Sequence, residues 1–105
     1  MNRTITSSEL GDLMRAKKDV AILDVRRQSD FDADKEMIPG AIRRDPEKVT
    51  EWRQELPKDK EIIIYCAHGG SVSNAILDKL LEERLNARYI EGGLAAWKES
   101  SKKAV

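Results

Sequence analysis

Cysteine and histidine are nearly absent from this 105-residue chain, each occurring once, as Cys66 and His68. A single cysteine excludes an internal disulfide and a multi-cysteine metal site, and it suits a reducing compartment; a lone histidine weakens a metal role further, so no metal is expected. Aromatic residues make up only 5% of the chain, too few for a base-stacking surface. Net charge is missing too: 19 basic residues balance 19 acidic ones, so no overall field draws the protein to nucleic acid or to an anionic membrane. No apolar run is long enough for a signal peptide or a membrane span, which predicts a cytoplasmic protein with neither nucleic-acid nor membrane partners. The length fits one domain over residues 1–105 with a modest core, ordered over about 5–99 and followed by a lysine-bearing tail over 100–105.

What is present is pattern. Thr6-Ser7-Ser8-Glu9 fits a capping box, and Leu10, Leu13 and Met14 follow at helical spacing, predicting a first helix to about Ala16 or Lys17. Val20 to Val25 is almost continuously apolar, as in a strand buried on both faces of a parallel sheet. Gln28 to Glu36 reads as a short helical turn anchored by Phe31, and Ile38-Pro39-Gly40 as a break before a brief strand at Ala41-Ile42. Arg43-Arg44 reads as a solvated turn. Asp45 and Pro46 then predict the start of a helix whose buried face carries Val49, Trp52, Arg53 and Leu56. Ile62 to Tyr65 and Ala87 to Ile90 are further strands. Between them, Val72, Ala75, Ile76 and Leu80, with Leu77 and Leu81 adjoining, predict a strongly amphipathic central helix. Glu91-Gly92-Gly93 is a turn into a last helical segment, Leu94-Ala95-Ala96-Trp97. Strands alternating with helices imply right-handed βαβ units, a mainly parallel sheet and a ligand site beyond the strands' carboxyl ends.

The chemistry concentrates where the strand Ile62 to Tyr65 runs through Cys66 into Ala67-His68-Gly69-Gly70-Ser71 and then a helix. A glycine-bearing loop closing on a helix start turns backbone N–H groups toward one point and adds the helix's positive end, so that point favours an anion. A thiolate is such an anion. An ordinary thiol, with a pKa of about 8.5, is only about 3% ionised at neutral pH, so a site using the thiolate must favour it. The structural alternative is a small apolar residue ending a buried strand. Asp24 and Arg26 also sit at a strand end and can share the same mouth, as substrate contacts or, more in keeping with a strand-end carboxylate, as an ion pair capping a turn. His68 can orient a donor or move a proton, or be a tolerated exposed loop residue. Ser71 and Ser73 are candidates for sulfur contact, and at least one of them for capping the helix.

Taken in order, Thr6 to Leu10, Leu23-Asp24-Val25-Arg26, Ile38-Pro39-Gly40-Ala41, Tyr65-Cys66-Ala67-His68-Gly69 and Glu91-Gly92-Gly93-Leu94-Ala95-Ala96-Trp97 resemble the single-domain rhodanese family of sulfurtransferases along nearly the whole chain. The resemblance implies a three-layer α/β fold, with a central, mainly parallel five-stranded sheet and helices on both faces. It further implies Cys66 as the nucleophile in a loop running to Ser71; Asp24, Arg26 and Ser73, read from their own positions, are candidate supporting residues. The implied activity is a persulfide relay from thiosulfate, polysulfide or a persulfide to cyanide or a thiol, one on a partner protein included, with no cofactor. The loop Cys66 to Ser73 is also similar to that of rhodanese-like domains associated with chromate-resistance proteins.

Two positions depart from the family pattern. Many active members carry a cation five positions after the cysteine, where this chain has Ser71; a charge-assisted hydrogen bond is worth about 1.5–3 kcal/mol, so an anionic donor such as thiosulfate is expected to bind roughly ten- to a hundredfold more weakly. Arg26, Arg43 and Arg44 are the candidates to compensate. Before Ile38, Glu36-Met37 replaces the frequent Gly-His, a change of packing or pocket wall. A rhodanese-like interaction or redox-sensing domain is the alternative from another class. A cysteine phosphatase or arsenate reductase needs an arginine in the loop to hold its oxyanion, and none lies between Cys66 and Arg84.

Overall fold

The computed structural model describes residues 3–103. Along the chain these form β1 (Thr4–Ile5), α1 (Ser7–Arg15), β2 (Val20–Asp24), α2 (Gln28–Ala33), β3 (Ile42–Arg43), α3 (Val49–Trp52), β4 (Glu61–Tyr65), α4 (Ser71–Glu82), β5 (Ala87–Ile90) and α5 (Gly93–Lys103). The five strands make one sheet in the order β1-β5-β4-β2-β3, and every pairing is parallel. β4 lies at its centre, with Leu23 of β2 opposite Ile64 and Tyr89 of β5 opposite the same residue on the other side.

The continuous apolar run of β4 is explained by two covered faces. Side chains alternate along a strand. Ile62 and Ile64 therefore enter one core with Trp52 of α3 and Ile76, Leu77 and Leu80 of α4. Ile63 and Tyr65 enter the other, with Leu10 of α1 and Leu94 of α5. Ile62, Ile63 and Ile64 are wholly buried, each worth about 1.5–3 kcal/mol of apolar transfer. α1 starts as its sequence predicts: Thr6 Oγ1 accepts from Glu9 N at 3.0 Å, and Thr6 N donates to Glu9 Oε1 at 2.9 Å.

Several expectations are corrected. Thr4–Ile5 forms an edge strand beside β5, too short for an alternation to be visible in sequence, held because Ile5 is buried. The helix expected after Asp45 is three short pieces: 3-10 turns at Pro46–Lys48 and Arg53–Glu55 flank α3, since Lys48 (φ −114°, ψ 22°) breaks the helical run. Asp45 does cap it, accepting from Glu47 N at 2.9 Å, and Trp52 Nε1 returns to Asp45 O at 2.7 Å. Ala75 is exposed, the buried face of α4 passing through Ser73 instead. Arg43 is no solvated turn: it donates to Asp24 O at 3.2 Å and to Arg44 O at 2.7 Å and stacks on Phe31. α5 continues to Lys103, past the expected end of the core.

Candidate active site

Cys66 follows the last residue of β4 and is 5% exposed. Its loop is clamped from behind by the turn that starts α5. Leu94 N donates to Cys66 O at 2.9 Å, and Ala95 N donates to Ala67 O at 3.1 Å. The approach is too close for side chains. A Cβ on Gly93 (φ +60°) would lie 2.4 Å from Cys66 O and 2.7 Å from Gly69 N. One on Gly69 (φ +69°) would lie 2.6 Å from Gly92 N and 2.9 Å from Ile90 O. Glycine alone supplies both the left-handed backbone and the space.

This clamp orients the loop. No peptide bond in the described chain is cis, and in a trans peptide the N–H points opposite the C=O. With the carbonyls of Cys66 and Ala67 aimed at α5, the N–H groups of Ala67 and His68 point away from it. Gly70 O is likewise taken, by Asn74 N at 3.2 Å and Asn74 Nδ2 at 3.3 Å, so Ser71 N–H points out of α4. Among the described residues, none of the N–H groups from Ala67 through Ser73 donates to a protein acceptor, and Cys66 Sγ takes part in no hydrogen bond. The capping expected of Ser71 or Ser73 is corrected: Gly70 is the N-cap, without a side-chain bond, and Ser71 and Ser73 stand one and three residues inside the helix, past the capping position. Ser73 is fully buried and its hydroxyl has no partner among the described residues. An uncapped helix start keeps its donors for an exogenous anion.

Asp24 and Arg26 form a buried pair. Asp24 Oδ2 accepts from Arg26 Nη2 at 2.7 Å and from Tyr65 OH at 3.0 Å, while Oδ1 accepts from Arg26 N at 3.0 Å. Arg26 spends its other donors on Asp34 O at 2.6 Å and Glu36 O at 3.1 Å, and Tyr65 OH accepts from Ile38 N at 3.2 Å. Burial works against the Arg26 charge, but the hydrogen bond and attraction of Asp24 outweigh it and raise the guanidinium above its ordinary value. Burial, with Asp24 adding, pushes the Tyr65 phenol well above its usual range. This network ties the segment before β3 to the ends of β2 and β4. With Arg26 and Arg43 so committed, and Arg44 Nη1 3.6 Å from Glu55 Oε1, the three arginines are engaged with protein groups.

Two cavities flank the loop. Ala67 and the exposed His68 line one of about 270 Å³ with Asp30, Asp34 and Lys98. Ser71, Val72 and Ala75 line the other, of about 670 Å³, with Arg27, Gln28, Pro46 and Glu47. Arg27 was not among the residues singled out from sequence; its signal was its place, directly after Arg26 at the carboxyl end of β2. Over the first cavity Lys98 pairs with Asp34 and sits 3.3 Å from Glu36 Oε1. The Lys98 hydrogen bond, then the Glu36 N–H, hold the Asp34 carboxyl below its ordinary range, and Lys98 is raised in turn.

A model of the rhodanese-like domain matches residues 6–100. Thiosulfate sulfurtransferase GlpE of Coxiella burnetii is 31% identical over 99 residues, covering 93% of this chain and 89% of that protein. The putative sulfurtransferase YtwF of Bacillus subtilis is 28% identical over 100 residues, 95% of this chain and 94% of that one. In structure, a rhodanese-related protein from Thermoplasma volcanium superposes with a TM-score of 0.79 at 30% identity, covering 93% of this chain and 92% of that one. A rhodanese-like domain protein from Staphylococcus aureus does so with a TM-score of 0.80 at 28% identity, covering 92% and 91%. With the domain match spanning both the cysteine loop and the α5 turn that clamps it, the chain belongs to the rhodanese-like domain family.

Proposed function

We propose that the protein is a sulfurtransferase working through a persulfide on Cys66. The observation that carries this is that, among the described residues, none of the N–H groups from Ala67 through Ser73, in the loop that follows the sole cysteine, is bonded to protein, and those of Ala67 and His68 point away from the α5 clamp. Unbonded backbone N–H groups are donors for an anion, and the relay passes through two anions on this residue, the thiolate that attacks and the persulfide that results. With thiosulfate, Sγ bonds to the sulfane sulfur, the S–S bond breaks and sulfite leaves with the electron pair; cyanide then takes the outer sulfur as thiocyanate and returns the thiolate. Neither step needs a metal or an organic cofactor. The names of GlpE and YtwF point the same way. A phosphatase reading has less support, because no arginine stands between Cys66 and Arg84 to grip an oxyanion. The lone cysteine fits a single domain acting in the reducing cytoplasm.

Intact-protein mass spectrometry of reduced wild type and Cys66→Ser, after thiosulfate and separately polysulfide, tests this. The expected result is one added sulfur on wild type alone, removed by cyanide with thiocyanate released. Absence of the adduct from both donors would overturn sulfur transfer from small donors and favour a partner-binding or redox-sensing domain.

A further inference from the structure

The larger cavity beside the loop carries two charges of opposite sign that the fold does not use. Arg27 caps the start of α2 with its backbone only, is exposed, and forms no ion pair among the described residues, in contrast to buried Arg26 beside it. Glu47, on the 3-10 turn after Pro46, is exposed and likewise without an ion pair among the described residues. Both line the same cavity without pairing with one another. Val72, Ala75 and Ile76 supply an apolar wall, and Ser71 joins the cavity to the cysteine loop where that loop offers free N–H groups.

A volume of about 670 Å³ fits an organic molecule far better than a five-atom inorganic anion. Opposite charges on the rim of an apolar pocket complement a zwitterion with a carbon body. We propose that Arg27 and Glu47 select the sulfur donor, a low-molecular-weight persulfide bearing an α-amino acid group, with its carboxylate on Arg27, its ammonium on Glu47 and its sulfane sulfur over the loop. The inference rests on the sulfurtransferase reading and names its substrate class. It also places the cation that Ser71 lacks on the neighbouring strand end. In the transfer, the Cys66 thiolate attacks the outer sulfur of R–S–SH. The Sγ–S bond forms as the donor's S–S bond breaks, the electron pair leaves on R–S⁻, and the proton of the transferred sulfur passes to R–S⁻ or to solvent to leave the persulfide anion, so no oxidant or reductant is consumed.

The test measures kcat/KM for transfer to cyanide in wild type, Arg27→Gln and Glu47→Gln, with glutathione persulfide and with thiosulfate. Calorimetric binding of unreactive S-methylglutathione to the same proteins separates recognition from chemistry. Each variant is expected to lose about three- to tenfold in kcat/KM with glutathione persulfide and to weaken S-methylglutathione binding by a similar factor. With thiosulfate, Arg27→Gln falls, whereas Glu47→Gln rises because a carboxylate that repels the dianion is gone. Variants that stay within about twofold of wild type in binding and in persulfide turnover overturn the inference and leave sulfur transfer standing. Charge-dependent binding of S-methylglutathione by a wild type that acquires no sulfur overturns the sulfurtransferase reading and keeps the cavity as a zwitterion site.

Discussion

Gly93→Ala separates what the α5 clamp does from what glycine does. At φ +60° an alanine adopts the left-handed region at a cost of about 1–2 kcal/mol, before any contact is counted. The added Cβ would also stand 2.4 Å from Cys66 O, 2.7 Å from Gly69 N and 2.8 Å from Ala67 C, all backbone atoms that cannot swing aside as a side-chain tip can. The start of α5 must withdraw, releasing the bonds from Leu94 N to Cys66 O and from Ala95 N to Ala67 O, at about 0.5–1.5 kcal/mol each. The sum is about 2–5 kcal/mol, within the 5–15 kcal/mol that a domain of this size commands, so the variant folds. Gly40→Ala is the control, because Gly40 has φ +84° but a Cβ there meets nothing within 4 Å. Urea titration should give Gly40→Ala only the backbone cost of about 1–2 kcal/mol and Gly93→Ala the larger loss. Freed from the clamp, the Cys66 and Ala67 carbonyls can rotate and the loop N–H groups scatter, so persulfide formation by mass spectrometry should slow about tenfold or more in Gly93→Ala and not in Gly40→Ala. Equal destabilisation and equal persulfide rates in the two variants would refute the clamp as the device that aims the loop.

Asp24→Asn leaves the Arg26 guanidinium, 1% exposed, without its counter-charge, and should cost about 3–5 kcal/mol in a urea titration; a loss below about 1 kcal/mol would mean that the strand-end pair is dispensable. The Lys98 bridge should show itself at both ends of the pH scale. The Asp34 carboxyl is lowered in the fold, so its contribution is complete above the ordinary carboxylate pKa of about 3.9 and is lost as pH falls through the lower folded value. Lys98 is raised, so its contribution is complete below the ordinary pKa of about 10.4 and is lost as pH rises through the higher folded value. Lys98→Met should therefore flatten both flanks of a stability-versus-pH curve, and an unchanged acid flank would count against the bridge.

What was legible in sequence is what neighbours along the chain decide. Thr6 and Glu9 meet within one helical turn, so the capping box could be seen directly. The run Ile62 to Tyr65 marks a strand covered on both faces whatever covers it. Asp24 and Arg26 pair two residues apart, but the carbonyls of Asp34 and Glu36 that fix the guanidinium lie across a helix with no local signature. β1 depends on a partner more than eighty residues later in the chain, and two residues carry no period. At the site, Cys66 and its glycines were visible, whereas the N-cap was misplaced. A serine beside a glycine looks like a cap, and only the bond from Asn74 to Gly70 O shows where the helix starts.

The empty cap changes the chemistry more than a shift of one residue suggests. A serine cap would give its oxygen to the helix N–H groups and bring an electron pair to the spot where the sulfur's negative charge must be held. With Gly70 in that place the donors stay free, and their direction comes from the far side, through carbonyls tied to α5. In the proposed relay the donors open to an anionic sulfur are thus backbone groups alone, independently of which donor brings the sulfur. The loop carries no cation of its own, so discrimination among donors falls to the cavity wall, to Arg27 and Glu47 at the ends of two other strand connections. Replacing Ser71 with arginine should then strengthen thiosulfate as a donor while leaving the amino acid preference, set at the wall, in place.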